Sequence, residues 1–156
     1  PDILKHVPNA KVVIAGPEFD FRNKLKTLSD ELGVREQVIF VGPINGNEKK
    51  QALASADIVA VPSLYEGFGI VILEAMAAGK PIIATKTGGA LDMIENEVNG
   101  LVVEIANSEQ LADNIVKVLE NDKIAKNLSR FASKKVLEYD WRKIAERVYQ
   151  VYKEVT

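Results

Sequence analysis

The stretch that most restricts this chain is residues 62–79, which read P-S-L-Y-E-G-F-G-I-V-I-L-E-A-M-A-A-G. It follows the run Asp57-Ile-Val-Ala-Val61, short and β-branched, which suits a strand buried on both faces. Pro62 ends that strand. Pro62, Gly67 and Gly69 favour a tight loop, while residues 70–78 hold strong helix formers and no proline. Gly79 is the expected stop. A strand, a glycine-bearing loop and a helix in this order turn free backbone N–H groups and the positive end of a helix dipole outward, where an anion such as phosphate is stabilised. Two carboxylates frame that position. Glu66 lies in the loop and Glu74 about one helical turn inside, so both can face one crevice at the carboxyl end of the strand.

The same alternation runs through most of the chain. Strands are expected at 11–16, 37–42, 57–61, 81–85 and 101–104, those at 11–16 and 57–61 buried. Between them the pattern predicts a helix from about Asp20 with Phe21, Leu25, Leu28 and Leu32 as its inner stripe, ended by Gly33. Asn47 is the expected cap of a short helix carrying Leu53, and another short helix is expected over 90–96. After Glu104 only helices remain. Ser108 is the expected cap of one with Leu111, Ile115, Val118 and Leu119 on one face; a second is expected from Asp122 through Val136. In the last, from Trp141 to about Glu154, Trp141, Ile144, Val148, Val151 and Tyr152 follow the helical period, which predicts packing against the sheet with Trp141 as an anchor. Ile3, Leu4 and Val7 show helical spacing too, as in a helix remnant. Strands alternating with helices through short connections imply a parallel sheet with both faces covered. The expected fold is therefore α/β, a Rossmann-like three-layer α/β/α sandwich forming a single domain over residues 1–156.

Composition narrows the chemistry. The chain has no cysteine, which excludes disulfides, thiol nucleophiles and thiolate metal sites. Its one histidine, His6, has no second imidazole to share a metal and is expected at the surface, so zinc hydrolysis and Ser-His-Asp catalysis have little to stand on. No metal or cofactor is expected. Lys plus Arg is 20 against 22 Asp plus Glu, without the basic excess of a nucleic-acid surface. No apolar run approaches the roughly 20 residues that cross a bilayer, and no signal peptide precedes the first strand. A cytoplasmic location follows as the expectation, with peripheral membrane association open for a full enzyme.

Two enzyme readings fit poorly. A dinucleotide-binding fold needs G-x-G-x-x-G after its first strand, where this chain has Gly16-Pro-Glu-Phe. A glycoside hydrolase built on Glu66 and Glu74 would draw both carboxylates from one loop and its own helix, whereas such pairs face each other across a groove. Glu74 nevertheless sits among Ile70, Val71, Ile72, Leu73, Ala75 and Met76, and a carboxylate in so apolar a helix requires a partner or a ligand.

Ala56-Asp57-Ile58, Pro62-Ser63, Glu66-Gly67-Phe68-Gly69, Glu74-Ala75, Gly79-Lys80-Pro81 and Gly88-Gly89, taken together, closely resemble the retaining GT-B-fold glycosyltransferases of the group 1 (family 4) type. The resemblance runs over residues 10–152. It implies the C-terminal, donor-binding half of a GT-B enzyme, with the N-terminal acceptor-binding domain absent. The full enzyme would transfer a hexosyl group from a UDP-, GDP- or ADP-sugar to an acceptor, with retention of configuration and without a metal ion.

Carried over by position, Glu66 is the catalytic candidate and hydrogen-bonds hydroxyls of the donor sugar. Gly67, Phe68, Gly69 and Ile70 surround the sugar and diphosphate, the last three through backbone N–H groups, and Ser63 stands beside them. Glu74 accepts both ribose hydroxyls, a role suited to an acceptor-only carboxylate. Gly42, Pro43 and Ile44 hold the base through the main chain, Gly16 and Pro17 line the same crevice, and Gly88 and Gly89 shape its wall. The chain departs from the family where Leu91 and Asp92 replace a proline and a glutamate. The family's Arg and Lys that grip the diphosphate lie upstream of the strand beginning at Lys11; Lys80 and Lys86 are not at those positions, and Lys86 is expected to be a solvated loop lysine. A sugar-nucleotide 2-epimerase of the same fold and a non-catalytic nucleotide-sugar-binding module are the alternatives. The isolated chain is expected to bind nucleotide weakly and to turn over essentially nothing.

Overall fold

The computed structural model describes residues 1–16 and 20–155. In chain order the elements are α1 (Asp2–His6), β1 (Val12–Ala15), α2 (Asp20–Glu31), β2 (Val38–Gly42), α3 (Gly46–Ser55), β3 (Val59–Val61) and α4 (Ile70–Ala77), then β4 (Ile82–Thr85), α5 (Gly88–Met93), β5 (Leu101–Val103), α6 (Ser108–Leu119), α7 (Asp122–Lys135) and α8 (Trp141–Glu154). Short 3-10 turns occupy Arg35–Gln37 and Val136–Tyr139. Every strand pairing is parallel, as the helical crossovers require.

The core is built around β4, whose residues are all buried. Strand residues alternate between faces. Ile82 and Ala84 pack with Ile72, Ala75 and Met76 of α4 and with Met93 of α5. Ile83 faces the other way, beside Leu101 and Val103, against Val118 of α6 and Leu128 of α7. Helices on both sides of β3, β4 and β5 make the expected three layers. Gly79, at φ +68°, ends α4.

The sheet, however, is in two pieces: β1 with β2, and β3-β4-β5. The expectation that the 11–16 strand is buried fails, since Val12 and Val13 are exposed, and Ile39 and Val41 of β2 are exposed as well. The inner stripe of α2 fails with it: Phe21 is 65% exposed, and Leu28 and Leu32 are exposed too. A two-stranded ribbon set apart from the main core offers too little apolar surface to cover both its own faces and a helix. The last helix is also corrected. No residue of α8 is buried and Trp141 is 81% exposed, so it anchors nothing here. Both faces of β3, β4 and β5 are already occupied, one by α4 and α5 and the other by α6 and α7.

Helix starts shift by a residue or two. The α3 cap position is Asn45 rather than Asn47, and α5 begins at Gly88. Asn107, not Ser108, caps α6 by accepting from Gln110 N–H at 2.9 Å, and Asn121 accepts from Lys123 and Ile124 N–H ahead of Asp122. In both cases the asparagine oxygen reaches the second or third amide downstream, as a capping side chain must.

Candidate functional site

The site begins where β3 ends. Thr85 is buried in β4, and its hydroxyl lies within reach of the carbonyl oxygens of Ser63 and, at 3.3 Å, of Val61. One hydroxyl proton shared by these two acceptors fixes the start of the 62–69 loop to the neighbouring strand. Leu64 and Tyr65 then project into solvent. The loop closes at Gly69, whose φ of +84° is a left-handed conformation that L side chains rarely adopt. A Cβ there would stand 3.3 Å from Glu66 Cγ and 3.1 Å from Ile72 Cδ1, so the Glu66 stem folds back over the helix start.

No side chain caps α4. Ile72 N–H donates to Gly69 O at 2.8 Å, and the N–H groups of Ile70 and Val71 precede it in the first turn, pointing out of the helix end. Such an end carries about half a positive charge. The strand, the glycine-bearing loop and the helix start expected over residues 62–79 are all present.

The opposite wall comes from the start of α5. Gly89 N–H donates to Glu66 O at 3.2 Å. A Cβ on Gly89 would lie 2.6 Å from Phe68 O and 2.7 Å from its carbonyl carbon, so only glycine lets the two backbones touch. Gly88, by contrast, faces open space. Phe68 meets Tyr139 edge-on with ring centroids 6.5 Å apart, and the Tyr139 hydroxyl donates to Asp92 O at 2.9 Å. The loop is thus held from three sides: by Thr85, by Gly89 and by Tyr139.

Glu74 stands one turn inside α4, partly exposed, and its carboxylate is ion-paired with Lys49 of α3. This partner answers the question raised by a carboxylate among apolar neighbours, and nothing in the α3 sequence announces it. Only the fold brings Lys49 across 25 residues to meet Glu74. Lys49 also lines a cavity of about 660 Å³ with Gly16, Pro43, Ile44 and Val71. Gly42 is buried at φ +72°, and its carbonyl accepts Gly16 N–H at 2.8 Å, tying the ends of β1 and β2 across an irregular register at Ile14/Ala15.

The sequence-predicted residues consequently form two groups. Ser63, Glu66, Gly67, Phe68, Gly69 and Ile70 make the loop, with Gly88 and Gly89 at its wall; Gly16, Pro43 and Ile44 line the cavity, with Gly42 behind them. The Lys49–Glu74 pair joins the two. Pro17 lies outside the described residues. Thr85, Tyr139 and Lys49 were not found from sequence, because each acts through a contact far along the chain.

Other charges are accounted for elsewhere. Lys86 pairs with Glu104 at 3.1 Å on an exposed surface, as a solvated lysine does. His6 is exposed, with Nδ1 3.9 Å from Glu120. Arg22, Lys26 and Arg35 surround the Phe40 ring within 6.0 Å and line a second concavity that shares no residue with the loop. Among the described residues no group of acidic or histidine side chains could hold a metal ion, and no helix is long and apolar enough to cross a membrane. The loop and its surroundings can bind an anion and hydroxyl groups.

Residues 1–135 match the family described as glycosyl transferases group 1. An uncharacterized glycosyltransferase of Methanocaldococcus jannaschii is 44% identical over 154 residues, covering 98% of this chain and 39% of that protein. A D-inositol 3-phosphate glycosyltransferase of Saccharomonospora viridis is 33% identical over 146 residues, covering 92% and 34%. Among solved structures, Anabaena HepE in complex with UDP superposes with a TM-score of 0.90 at 27% identity, covering 98% of this chain and 43% of that one. The same protein has also been solved in complex with UDP-glucose, with a TM-score of 0.85. The chain spans less than two fifths of the length of these curated relatives.

Proposed function

The chain belongs to the group 1 glycosyl transferases, and we propose that its 62–69 loop and two glutamates hold a nucleoside diphosphate sugar as the donor half of a hexosyltransferase. The observation that carries this reading is the uncapped start of α4 at Gly69, pressed into place by the backbone contact of Gly89 with Phe68. Amides fixed before the ligand arrives stabilise diphosphate charge without reorganisation. Phe68, Gly69 and Ile70 N–H serve that role, and Glu66 takes the sugar hydroxyls. An ionised carboxylate has about four acceptor sites, so Glu74 keeps capacity for both ribose hydroxyls while Lys49 uses one of them. Gly16, Pro43 and Ile44, in the cavity beside Lys49, suit the base.

The UDP and UDP-glucose bound to the Anabaena structures favour a uridine donor among the UDP-, GDP- and ADP-sugars. In the full cytoplasmic enzyme, transfer proceeds with retention and without a metal, the N-terminal half of the polypeptide presenting the acceptor. Glu66 binds the sugar hydroxyls rather than bonding covalently to the sugar, and the leaving phosphate assists the acceptor on the same face. Calorimetry of UDP-, GDP- and ADP-glucose against the full-length protein tests the reading. One donor should bind, and Glu74→Ala should weaken it by about 1.5–3 kcal/mol, the range for hydrogen bonds to a charged group. Unchanged affinity would remove Glu74 from the site, and failure of all three donors would overturn the proposal.

A further inference from the structure

The dipeptide Asn-Gly occurs twice in the chain, at Asn45-Gly46 and Asn99-Gly100, and the fold treats the two in opposite ways. An asparagine in this setting can react with its own backbone. The peptide nitrogen of the glycine attacks the asparagine Cγ, closing a five-membered ring, and no Cβ on the glycine obstructs the approach. What decides the outcome is whether the carboxamide and that nitrogen are free to meet.

Asn99 is held. It is 4% exposed, its Oδ1 accepts Glu95 N–H at 2.8 Å, and its Nδ2 donates to Met93 O at 3.1 Å. Gly100 is crowded too, since a Cβ there would meet Ile94 Cγ2 at 2.9 Å and Ile82 O at 3.2 Å. Turning the Asn99 carboxamide onto the backbone would break two buried hydrogen bonds, so its reaction waits on local unfolding. Asn45 is loose. It is exposed, with Gly46 and Asn47 exposed beside it, and it stands at the N-cap of α3 without the side-chain cap bond that Asn107 and Asn121 make. Gly46 opens α3, so its N–H has no partner within the helix. Its φ of +50° and the open space around it leave the glycine backbone free to turn.

We propose that Asn45-Gly46 is a self-modification site, where the chain closes a succinimide that reopens as aspartate or isoaspartate. In the first step the bond from Gly46 N to Asn45 Cγ forms and the Cγ–Nδ2 bond breaks; the side-chain nitrogen leaves as ammonia with the proton that Gly46 gives up. Water then adds to one ring carbonyl and breaks its bond to nitrogen. Opening at Cγ yields aspartate, and opening at the main-chain carbonyl carbon yields isoaspartate. One water is consumed and one ammonia released, with no oxidation or reduction.

The position gives the change a consequence. Pro43 and Ile44, just before Asn45, line the cavity, as does Lys49 one turn after it. Glu48 and Lys49 N–H donate to Asn45 O at 3.1 and 3.4 Å, the bonds that start α3. Aspartate keeps those bonds, adds a charge that a helix N-terminus favours, and stands four residues before Lys49, where it competes with Glu74 for the ammonium. Isoaspartate converts the accepting carbonyl into a free carboxylate and lengthens the main chain by one carbon, which displaces Ile44 relative to Lys49.

The modification stands on geometry alone, while its effect on ligand rests on the donor reading. Full-length protein is aged at neutral and at mildly alkaline pH, digested at intervals, and the peptides carrying Asn45 and Asn99 are resolved by mass spectrometry and chromatography into asparagine, aspartate and isoaspartate forms. Asn45 should convert at least about tenfold faster than Asn99, whose reaction requires local opening. The rate should rise with pH, because the attacking nitrogen must lose its proton, and Gly46→Ala should slow it. Conversion of Asn45 no faster than that of Asn99 overturns the proposal. Converted protein, separated by ion exchange, should bind UDP several-fold more weakly than unconverted protein, and equal affinity overturns the consequence for the cavity. Failure of unconverted protein to bind any nucleotide counts against the donor reading instead, because the mass measurement contains no nucleotide.

Discussion

Gly89→Ala isolates the contact that positions the loop. The new Cβ would stand 2.6 Å from Phe68 O, 2.7 Å from its carbonyl carbon and 2.9 Å from its Cα. All three are backbone atoms, so no side-chain rotation relieves them. Ordinary contact begins near 3.4 Å, and 3.4 − 2.6 gives a retreat of 0.8 Å for the loop or the start of α5. Overpacking of this kind costs about 1–3 kcal/mol. Alanine recovers about 0.5–1 kcal/mol of that over glycine in a helix. The remainder, about 0.5–2 kcal/mol, lowers the melting temperature by roughly 1–8 °C in a chain of this size. Because the movement pulls the Phe68, Gly69 and Ile70 amides away from the donor, affinity for UDP should also fall about tenfold, equal to ~1.4 kcal/mol.

Gly88→Ala is the matched control. Its Cβ meets nothing within 4 Å, so alanine there should stabilise by about 0.4–1 kcal/mol through the unfolded chain. Thermal melts of both variants, with UDP titrations, make the comparison. If Gly89→Ala melts with the wild type and keeps its UDP affinity, or if the two variants suffer alike, the close approach does not position the loop.

Thr85→Val keeps shape but removes the hydroxyl shared by Ser63 and Val61 carbonyls, and should cost about 1–3 kcal/mol in urea denaturation by leaving those groups unsatisfied. Trp141→Ala, at an 81% exposed position, should change the stability of this domain by less than about 0.5 kcal/mol, whereas a larger loss would restore the anchor that periodicity suggested. The hydrogen bond from Lys135 holds the Glu138 carboxyl below its ordinary value and raises Lys135 above its own. A lowered carboxyl adds stability above its unfolded value that is lost as pH falls through the folded one; a raised ammonium adds stability below its unfolded value that is lost as pH rises through the folded one. Both groups are largely solvated, so the effect on stability is small. An NMR titration should show Glu138 returning to the ordinary glutamate range in Lys135→Met, and an unmoved midpoint would refute the pairing.

The loop and its helix were legible because proline, glycine and carboxylate positions there act locally. Gly69 must take a positive φ, Gly79 must end α4, and both conditions are written in the residue type. Gly89 was legible as part of a wall but not as a contact, since its clash is with Phe68, and only the folded chain brings them together. The same distance in sequence hid Lys49 from Glu74. Helical periodicity marks apolar stripes on α2 and α8 but could not tell that both stay exposed. An amphipathic stripe states that a face wants a partner, and among the described residues no element buries either stripe. Likewise, β1 reads as a buried strand because its composition is that of a buried strand. Its exposure, like that of β2, follows from the split in the sheet.

The central claim is that backbone amides at the start of α4 receive the donor's diphosphate. The direct measurement is an amide chemical-shift titration of full-length protein with UDP-glucose. The largest displacements should fall on Phe68, Gly69, Ile70 and Val71, with smaller ones at Gly16 and Ile44. Displacements confined to Arg22, Lys26, Arg35 and the Phe40 surface, or none at Gly69 and Ile70 at saturating ligand, would contradict it.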